Sequence, residues 1–205
     1  MMLEVSDLSV ARGGLKLLEG VTFGLEGGQA LVLRGPNGVG KTSLLRTVAG
    51  LQPALGGTIQ MVPDSFAYAS HADGIKATLS VEENLSFWAH VFGADGVEEA
   101  LSAYDLQALR DRPAGALSAG QGRRLGLARL LVTGRPLWLL DEPTVSLDAE
   151  AVGLFAQAIK AHLQLGGAAL LATHIDLGLD NPTILNLAPY RSKASFVEDF
   201  DEAFL

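Results

Sequence analysis

The fold is decided by the stretch Gly35-Pro36-Asn37-Gly38-Val39-Gly40-Lys41-Thr42, which has the spacing G-x-x-x-x-G-K-[ST] of a phosphate-binding loop. An apolar run from Ala30 to Arg34 precedes it and predicts a buried strand, and a helical pattern begins near Lys41. In such a loop the glycines let backbone amides point at phosphate oxygens. Lys41 neutralises the β and γ oxygens, and Thr42 offers a hydroxyl to Mg²⁺. The stretch therefore predicts a site for the phosphates of a nucleotide.

A second apolar run, Leu137 to Leu140, ends in the carboxylates of Asp141 and Glu142. Ligands of α/β proteins bind beyond the carboxyl ends of strands. We expect Asp141 to hold Mg²⁺ opposite Thr42, and Glu142 to polarise a water for attack on the γ-phosphate. Two carboxylates in a solvated turn are the alternative interpretation, which the neighbouring phosphate loop makes the weaker one.

Other patterns predict the rest of the architecture. The run Ala168 to Ala172 predicts a third buried strand, and strands that alternate with helices indicate a parallel sheet. The apolar spacing over 148–165 predicts a helix with Asp148 as its N-cap and Gly166 just past its end. The first thirty residues alternate between apolar and polar positions and predict a short antiparallel region.

Residues 80 to 133 are predicted to be mainly helical. A capping-box pattern at Ser80-Val81-Glu82-Glu83 opens one helix, and Leu117-Ser118-Ala119-Gly120-Gln121 opens another. The second start is either simply N-capped or also able to bind an anion. If this stretch forms a separate lobe, an anion there and one at Gly40 cannot easily belong to one nucleotide in one chain. The pattern therefore indicates a second subunit.

The composition excludes several classes of protein. With 205 residues, 48% of them hydrophobic, the chain fits one sizeable domain over 1–205. The absence of cysteine excludes a disulfide scaffold and thiolate metal sites. A net charge of −8 without a cationic tract argues against a nucleic-acid partner. The sequence has neither the roughly 18 consecutive apolar residues of a spanning helix nor an export signal at its start.

Taken together and in this order, the motifs resemble the ATP-binding cassette (ABC) nucleotide-binding subunits from end to end. The resemblance implies an α/β P-loop cassette with an N-terminal antiparallel β region and an inserted helical subdomain. It also implies that two cassettes dimerise head to tail, so that the signature of one chain closes on ATP held by the other. Residue by residue, it implies Walker A at 35–42, Walker B at Leu137–Asp141, the catalytic glutamate at Glu142, the signature at Leu117–Gln121 with Ala119 where glycine is commoner, the D-loop at Ser146-Leu147-Asp148, and the switch histidine at His174.

Two positions depart from the family pattern. Where an aromatic residue usually stacks on adenine, this chain has Arg12. Either the Arg12 guanidinium stacks on the base instead, or the protein selects the base only loosely. His71 stands where a glutamine usually lies, ahead of the helical lobe. An imidazole can still bond to a water on Mg²⁺, but protonation would weaken that contact. We therefore expect ATPase activity to decline as the pH drops below about 6.5, which is the ordinary pKa of histidine.

The stretches Tyr68–His71, Gly74–Ser80 and Glu83–Leu85 narrow the resemblance further. With the signature and the length, they resemble the haem exporter ATP-binding subunits of bacterial cytochrome c maturation. That implies a peripheral subunit on the cytoplasmic face of the inner membrane, bound to integral membrane subunits, whose ATP hydrolysis drives haem export or release of a haem-loaded chaperone. The apolar residues of 72–92 are candidates for the docking surface, core packing being the alternative. The four histidines have no ligand-like spacing, so no direct haem binding is expected.

Three other functions stay open on the sequence alone. The first is an ATPase subunit of a different transporter, which its membrane partner would reveal. The second is a soluble phosphotransferase, which would need the phosphate loop but neither the signature nor His174. The third is a nontransport cassette protein, which generally joins two cassettes or adds a coiled-coil arm.

Overall fold

The apolar runs predicted as strands form the middle of a sheet in the computed structural model, which describes residues 1–70 and 72–193. The strands are β1 Leu3–Arg12, β2 Leu15–Leu25, β3 Ala30–Arg34, β4 Gly56–Met61, β5 Phe66–Ala69, β6 Leu137–Asp141, β7 Ala168–Ala172 and β8 Thr183–Asn186. The α-helices are α1 Lys41–Val48, α2 Val81–Phe92, α3 Val97–Ala103, α4 Ala119–Ala128 and α5 Ala149–Gln164.

The central sheet is parallel and has the order β5-β6-β7-β3-β8. The three predicted strands β3, β6 and β7 are its inner members, and β7 lies between the other two. Their carboxyl ends therefore meet at one edge, where the phosphate loop, the acidic pair and the histidine after β7 all begin. These motifs are far apart along the chain, and it is the order of the strands within the sheet that brings them together.

Alternating side chains of this sheet enter two cores. On β3, Leu31 and Leu33 pack with α1 and the antiparallel sheet, whereas Ala30 and Val32 face the side on which Phe155 of α5 and helices α2 to α4 pack. Because successive side chains of a strand point to opposite faces, a strand apolar throughout is buried on both. This explains why the inner strands read as unbroken apolar runs.

The predicted antiparallel region is confirmed, with one addition. β1 pairs with β2 and also with β4, giving the order β2-β1-β4. The sequence interpretation missed β4 and the two edge strands, β5 and β8. Each edge strand has only four residues, and three of the four in β8 are exposed, so neither shows the apolar run of a buried strand.

The helix boundaries largely match the sequence patterns. Ser80 caps α2 in a full capping box, and α2 ends at Gly93 in the left-handed conformation. Asp148 caps α5. The helix that begins after Ser118 ends at Ala128, earlier than its apolar pattern suggests, and a short 3₁₀ turn over Leu131–Thr133 follows. The spacing of Phe196, Phe200 and Phe204 by four residues predicts a short amphipathic helix over 189–205, most of which lies outside the described residues. None of the helices within 1–70 and 72–193 has the length and apolarity needed to cross a bilayer.

Candidate nucleotide-binding site

A cleft of about 200 Å³ lies at the carboxyl edge of the parallel sheet. It combines residues that the sequence interpretation assigned to phosphate binding and to catalysis with two from the antiparallel sheet. Its walls are formed by Arg12, Leu17, Asn37, Gly38, Gly40, Lys41, Thr42 and Glu142. The predicted phosphate loop and the second of the two carboxylates therefore face the same space.

The loop is shaped by Gly40, the N-cap of α1, whose φ of +116° is strained for any residue with a side chain. A Cβ at this position would also lie 3.1 Å from Cγ of Leu18. The Lys41 ammonium donates to the carbonyl oxygens of Gly35 at 3.0 Å and Pro36 at 3.4 Å. The lysine is thus folded back across the loop, with its charge held where phosphate oxygens would approach.

Thr42 and Asp141 are in direct contact although 99 residues separate them. The Thr42 hydroxyl donates to Oδ1 of Asp141 at 2.9 Å, and the phenol of Tyr68 on β5 donates to Oδ2 at 3.3 Å. Burial, and next the charge of Asp141, raise the pKa of Tyr68 to about 12. Hydroxyl and carboxylate oxygens are the donors that Mg²⁺ prefers, so the pair Thr42 and Asp141 fits a magnesium site.

Glu142 and His174 lie together one residue beyond β6 and two beyond β7, with His174 Nε2 at 3.3 Å from Oε1 of Glu142. The Glu142 amide donates to the carbonyl of Ala172 at 2.8 Å. Glu142 has φ +47°, a left-handed conformation that costs energy in a non-glycine residue and concentrates at functional sites. Arg34, the last residue of β3, donates to the Thr173 carbonyl and so ties the start of the phosphate loop to the histidine turn.

The signature residues do not reach this cleft in the same chain. Ser118 and Gln121 form a reciprocal capping box: the Ser118 hydroxyl accepts from the Gln121 amide at 3.2 Å, and the Gln121 side chain accepts from the Ser118 amide at 3.0 Å. Ser118 and Ala119 instead line a separate cleft of about 290 Å³, which also contains Ser146. The two clefts have no lining residue in common.

Asp148 and His71 complete the set of predicted residues. The Asp148 carboxylate accepts from the Ala151 amide at 2.8 Å as a helix cap, and its nucleotide contact stays a prediction. His71 lies outside the described residues, so its contact with the nucleotide or metal also stays a prediction. Tyr68 and Arg34 were missed. Finding Tyr68 would require knowing that β5 pairs with β6, and a four-residue edge strand gives little signal of that.

The sequence comparisons agree with this arrangement. Residues 18–145 match the family described as ABC transporter. The cytochrome c biogenesis ATP-binding export protein CcmA of Rhodobacter capsulatus is 61% identical over 212 residues, covering 100% of this chain and 99% of that protein. The protein of the same name from Paracoccus denitrificans is 60% identical over 207 residues, covering 99% of each chain.

Solved structures show the same fold. An ABC transporter ATP-binding protein from Pyrococcus furiosus has a TM-score of 0.81 at 26% identity, covering 93% of this chain and 99% of that one. Another ATP-binding subunit of an ABC transporter has a TM-score of 0.82 at 25% identity, covering 97% and 91%. Together with the cleft, these likenesses mean that the chain belongs to the ABC transporter family, as an ATP-binding subunit of the group that contains the cytochrome c biogenesis ATP-binding export proteins.

Proposed function

We propose that the cleft hydrolyses ATP and that the named residues have distinct roles. Backbone amides of Gly35–Thr42 and the Lys41 ammonium bind the β- and γ-phosphates, because they combine a helix N-terminus with a fixed positive charge. Glu142 orients the attacking water, and His174 adds a donor for the charge that develops on the γ-phosphate. The observation that carries this proposal is that Lys41, Thr42 and Glu142 line a single cleft.

Mg²⁺ would be held by Thr42 and Asp141, with His71 as a further candidate. When bound, the ion supplies positive charge to the β- and γ-phosphate oxygens. The chain's own part is to keep the two oxygen donors in place. The contact between Thr42 and Asp141 and the Tyr68 phenol behind them support that role.

The second half of each site comes from a second copy of the chain. Ser118, Ala119, Gly120 and Gln121 lie at the start of α4, which offers backbone amides to an anion, and Asp148 follows on the adjacent loop. Because this helix start opens into a different cleft from the phosphate loop, ATP held by one chain would contact the signature of the other. ATP binding then closes a head-to-tail dimer, and hydrolysis reopens it.

The cargo proposed for this ATPase is haem. Relatives about 60% identical over the full chain are named for cytochrome c biogenesis and export, which supports a role in haem export or in release of a haem-loaded chaperone. The subunit would bind integral membrane subunits at the cytoplasmic face of the inner membrane. Haem would be handled by those partners rather than by this chain.

The face of α2 is the proposed docking surface for a membrane subunit. Phe87 and Val91 lie one helical turn apart and are each 53% exposed. Trp88 beside them is a packing residue instead: its indole N–H donates to the Gly74 carbonyl at 3.1 Å, and the Arg129 guanidinium lies 4.7 Å from the centre of its ring. The exposed pair, rather than all of 72–92, therefore forms the surface that a partner can reach.

The proposal is tested by purifying tagged Glu142→Gln protein from detergent-solubilised membranes with ATP and Mg²⁺. This variant should bind ATP, hydrolyse it at least about 100-fold more slowly than wild type, and hold a closed dimer with cytochrome c maturation subunits attached. Lys41→Ala is the matched control, which should neither bind ATP nor dimerise. Copurification of a different permease would refute the role in haem export but not the ATPase mechanism. Near wild-type turnover would remove Glu142 from its proposed role.

A further inference from the structure

Arg123 is a buried cation that none of the roles proposed above uses. It lies on α4, five residues after Ser118, and is only 3% exposed. A guanidinium has five N–H donors, and a buried one is stable only when they are paired. In this structure all five have an acceptor, so Arg123 is fixed in one orientation.

One side of the guanidinium holds the backbone at Glu142 and Pro143. Its Nε and one Nη2 proton donate to the Pro143 carbonyl at 3.1 Å and 2.9 Å, and Nη2 also approaches the Glu142 carbonyl at 3.5 Å. These carbonyls belong to the two peptide units that directly follow Glu142, and Glu142 itself has a φ of +47°. A left-handed residue keeps that conformation only where its surroundings impose it. Arg123 supplies such a constraint.

The other side holds the stretch that follows β5. Nη1 donates to the Ser70 carbonyl and to Oδ1 of Asp73, both at 2.6 Å. Ser70 directly follows β5, whose Tyr68 bonds to Asp141. Three parts of the chain therefore meet at one side chain, namely the signature helix, the Glu142 turn and the end of β5.

Gly126 shows that this junction is closely packed. It lies one turn after Arg123 on α4, and a Cβ at Gly126 would come within 2.7 Å of Cβ and 3.0 Å of Cα of Asp73. The absence of a side chain is what lets the Asp73 backbone lie against the helix. Asp73 can then reach the guanidinium, while its own side chain stays about one quarter exposed.

We propose that Arg123 is a positioning residue: it holds the backbone at Glu142 and joins it to Ser70 and to the signature helix. This inference rests on the proposed role of Glu142 in hydrolysis. Arg123 does not line the cleft of the phosphate loop, so it acts on hydrolysis through the backbone at Glu142. It fixes the position from which the Glu142 carboxylate orients the attacking water, and it moves with the helix whose start meets the ATP of the other chain.

The test compares Arg123→Lys with Arg124→Lys in steady-state ATP hydrolysis by the full-length protein. Lysine keeps the charge near Asp73 but cannot serve the carbonyls of Ser70 and Pro143 together. We expect kcat to fall by about 10- to 100-fold, as small misplacements of catalytic groups do, with KM for ATP within about twofold of wild type. Arg124, the next residue, bonds to the carbonyls of Tyr104 and Asp105 away from the cleft, so Arg124→Lys should keep kcat within about twofold of wild type.

A double variant separates positioning from general loss of structure. If Arg123 acts through Glu142, then Arg123→Lys added to Glu142→Gln should lower the residual turnover by no more than about twofold further. A full further 10-fold loss would overturn the proposal. Asp73→Asn, on the exposed side of the junction, provides a milder variant with an expected loss of about threefold in kcat if Arg123→Lys does not fold.

The outcomes distinguish this inference from the proposed function on which it rests. No hydrolysis by wild type, or wild-type turnover by Glu142→Gln, would refute the role of Glu142. If wild type is active and Glu142→Gln is slow, but Arg123→Lys and Asp73→Asn both keep the wild-type kcat, the positioning role of Arg123 alone is refuted.

Discussion

Tyr68 donates a hydrogen bond to Asp141 from a neighbouring strand, on the side of the carboxylate that Thr42 does not use. The two strands are paired in register, with Tyr68 opposite Leu139, so the phenol reaches the end of β6 two residues further on. Since burial and the charge of Asp141 raise the pKa of Tyr68 to about 12, the phenol stays a neutral donor throughout the working pH range. It therefore orients the carboxylate that we assign to Mg²⁺.

We expect Tyr68→Phe to raise the Mg²⁺ concentration needed for half-maximal ATPase activity by about 10-fold, the lower range for loss of a partner behind a metal ligand. The ratio of the wild-type to the variant requirement should not vary between pH 6 and pH 9, because the phenol does not ionise there. Mg²⁺ titrations of steady-state hydrolysis at several pH values measure both quantities.

Tyr104→Phe is the matched control for this substitution. Tyr104 is fully buried, and its hydroxyl has no hydrogen-bond partner within 1–70 and 72–193. Removing that hydroxyl should leave the Mg²⁺ requirement unchanged. An equal shift in both variants would mean that the effect of Tyr68→Phe comes from packing and not from its bond to Asp141.

His162 makes the stability of the fold depend on pH. Its ring stacks on Trp138 at 3.9 Å between ring centres, and its Nε2 lies 3.1 Å from the Pro136 carbonyl. Burial lowers the pKa of His162 from its ordinary value near 6.5. The unfolded chain then binds the proton more tightly than the folded one. The contribution that neutral His162 makes to the free energy of unfolding is therefore fully present above pH 6.5. This contribution is lost as the pH falls from 6.5 toward the lowered pKa of His162 in the folded chain.

His162→Phe should flatten this dependence, because phenylalanine keeps the stacked ring but takes up no proton. We expect the Tm of wild type to fall more between pH 7.5 and pH 5.5 than that of His162→Phe. His90→Gln, at an exposed position of α2, is the control and should follow wild type. Equal slopes for wild type and His162→Phe would exclude His162 as the source of the pH dependence.

Charge on the exposed face of α2 should separate docking from folding. Phe87→Glu and Val91→Glu change half-exposed side chains, and Phe87 also packs edge-on against the Trp88 ring, so we expect the free energy of unfolding to fall by no more than about 2 kcal/mol. Copurification with membrane subunits should nevertheless be lost, because a buried unpaired carboxylate is costly at an apolar interface.

Leu165→Glu is the control for these charges, since Leu165 is 90% exposed and follows α5 rather than belonging to α2. It should keep the membrane partners. Retained partners in both α2 variants would place the docking surface elsewhere, whereas loss in all three would point to a general effect of added negative charge on a chain already at −8.

How far the sequence predicts this structure depends on what each residue has beside it. The caps at Ser80, Ser118 and Asp148 were predictable, as were the positions of the loop at 35–42 after β3 and of Asp141 and Glu142 at the end of β6, because each is specified by neighbours within a few residues. Three hydrogen bonds were not predictable, because the residues that they join lie far apart in the sequence. The separation is 139 residues for Arg34 and Thr173, 73 for Tyr68 and Asp141, and 53 for Arg123 and Ser70. Such contacts follow only from the strand order.

The position of Arg12 was predicted to matter from the sequence, but its place beside the cleft follows only from the fold. Arg12 stands where an aromatic residue usually stacks on adenine, and the structure places it on the wall of the cleft beside Leu17 and the phosphate loop. If its guanidinium stacks on the base, it contributes binding that is the same in the ground and transition states. Arg12→Ala should then raise KM for ATP by about 5- to 10-fold with kcat nearly unchanged, whereas Arg12→Tyr should restore KM, since both side chains can stack.

Competition between ATP and GTP decides whether that contact reads the base. Every base has a π-face, so stacking discriminates poorly, and the ratio of kcat/KM for the two nucleotides should be similar in wild type and Arg12→Ala. Lys16→Ala is the matched control, because Lys16 pairs with Glu19 on the same strand, β2, and does not line the cleft. A change in the ratio of about 10-fold or more would mean that Arg12 hydrogen-bonds to a base edge. If Arg12→Ala leaves KM for ATP unchanged, Arg12 does not contribute to nucleotide binding.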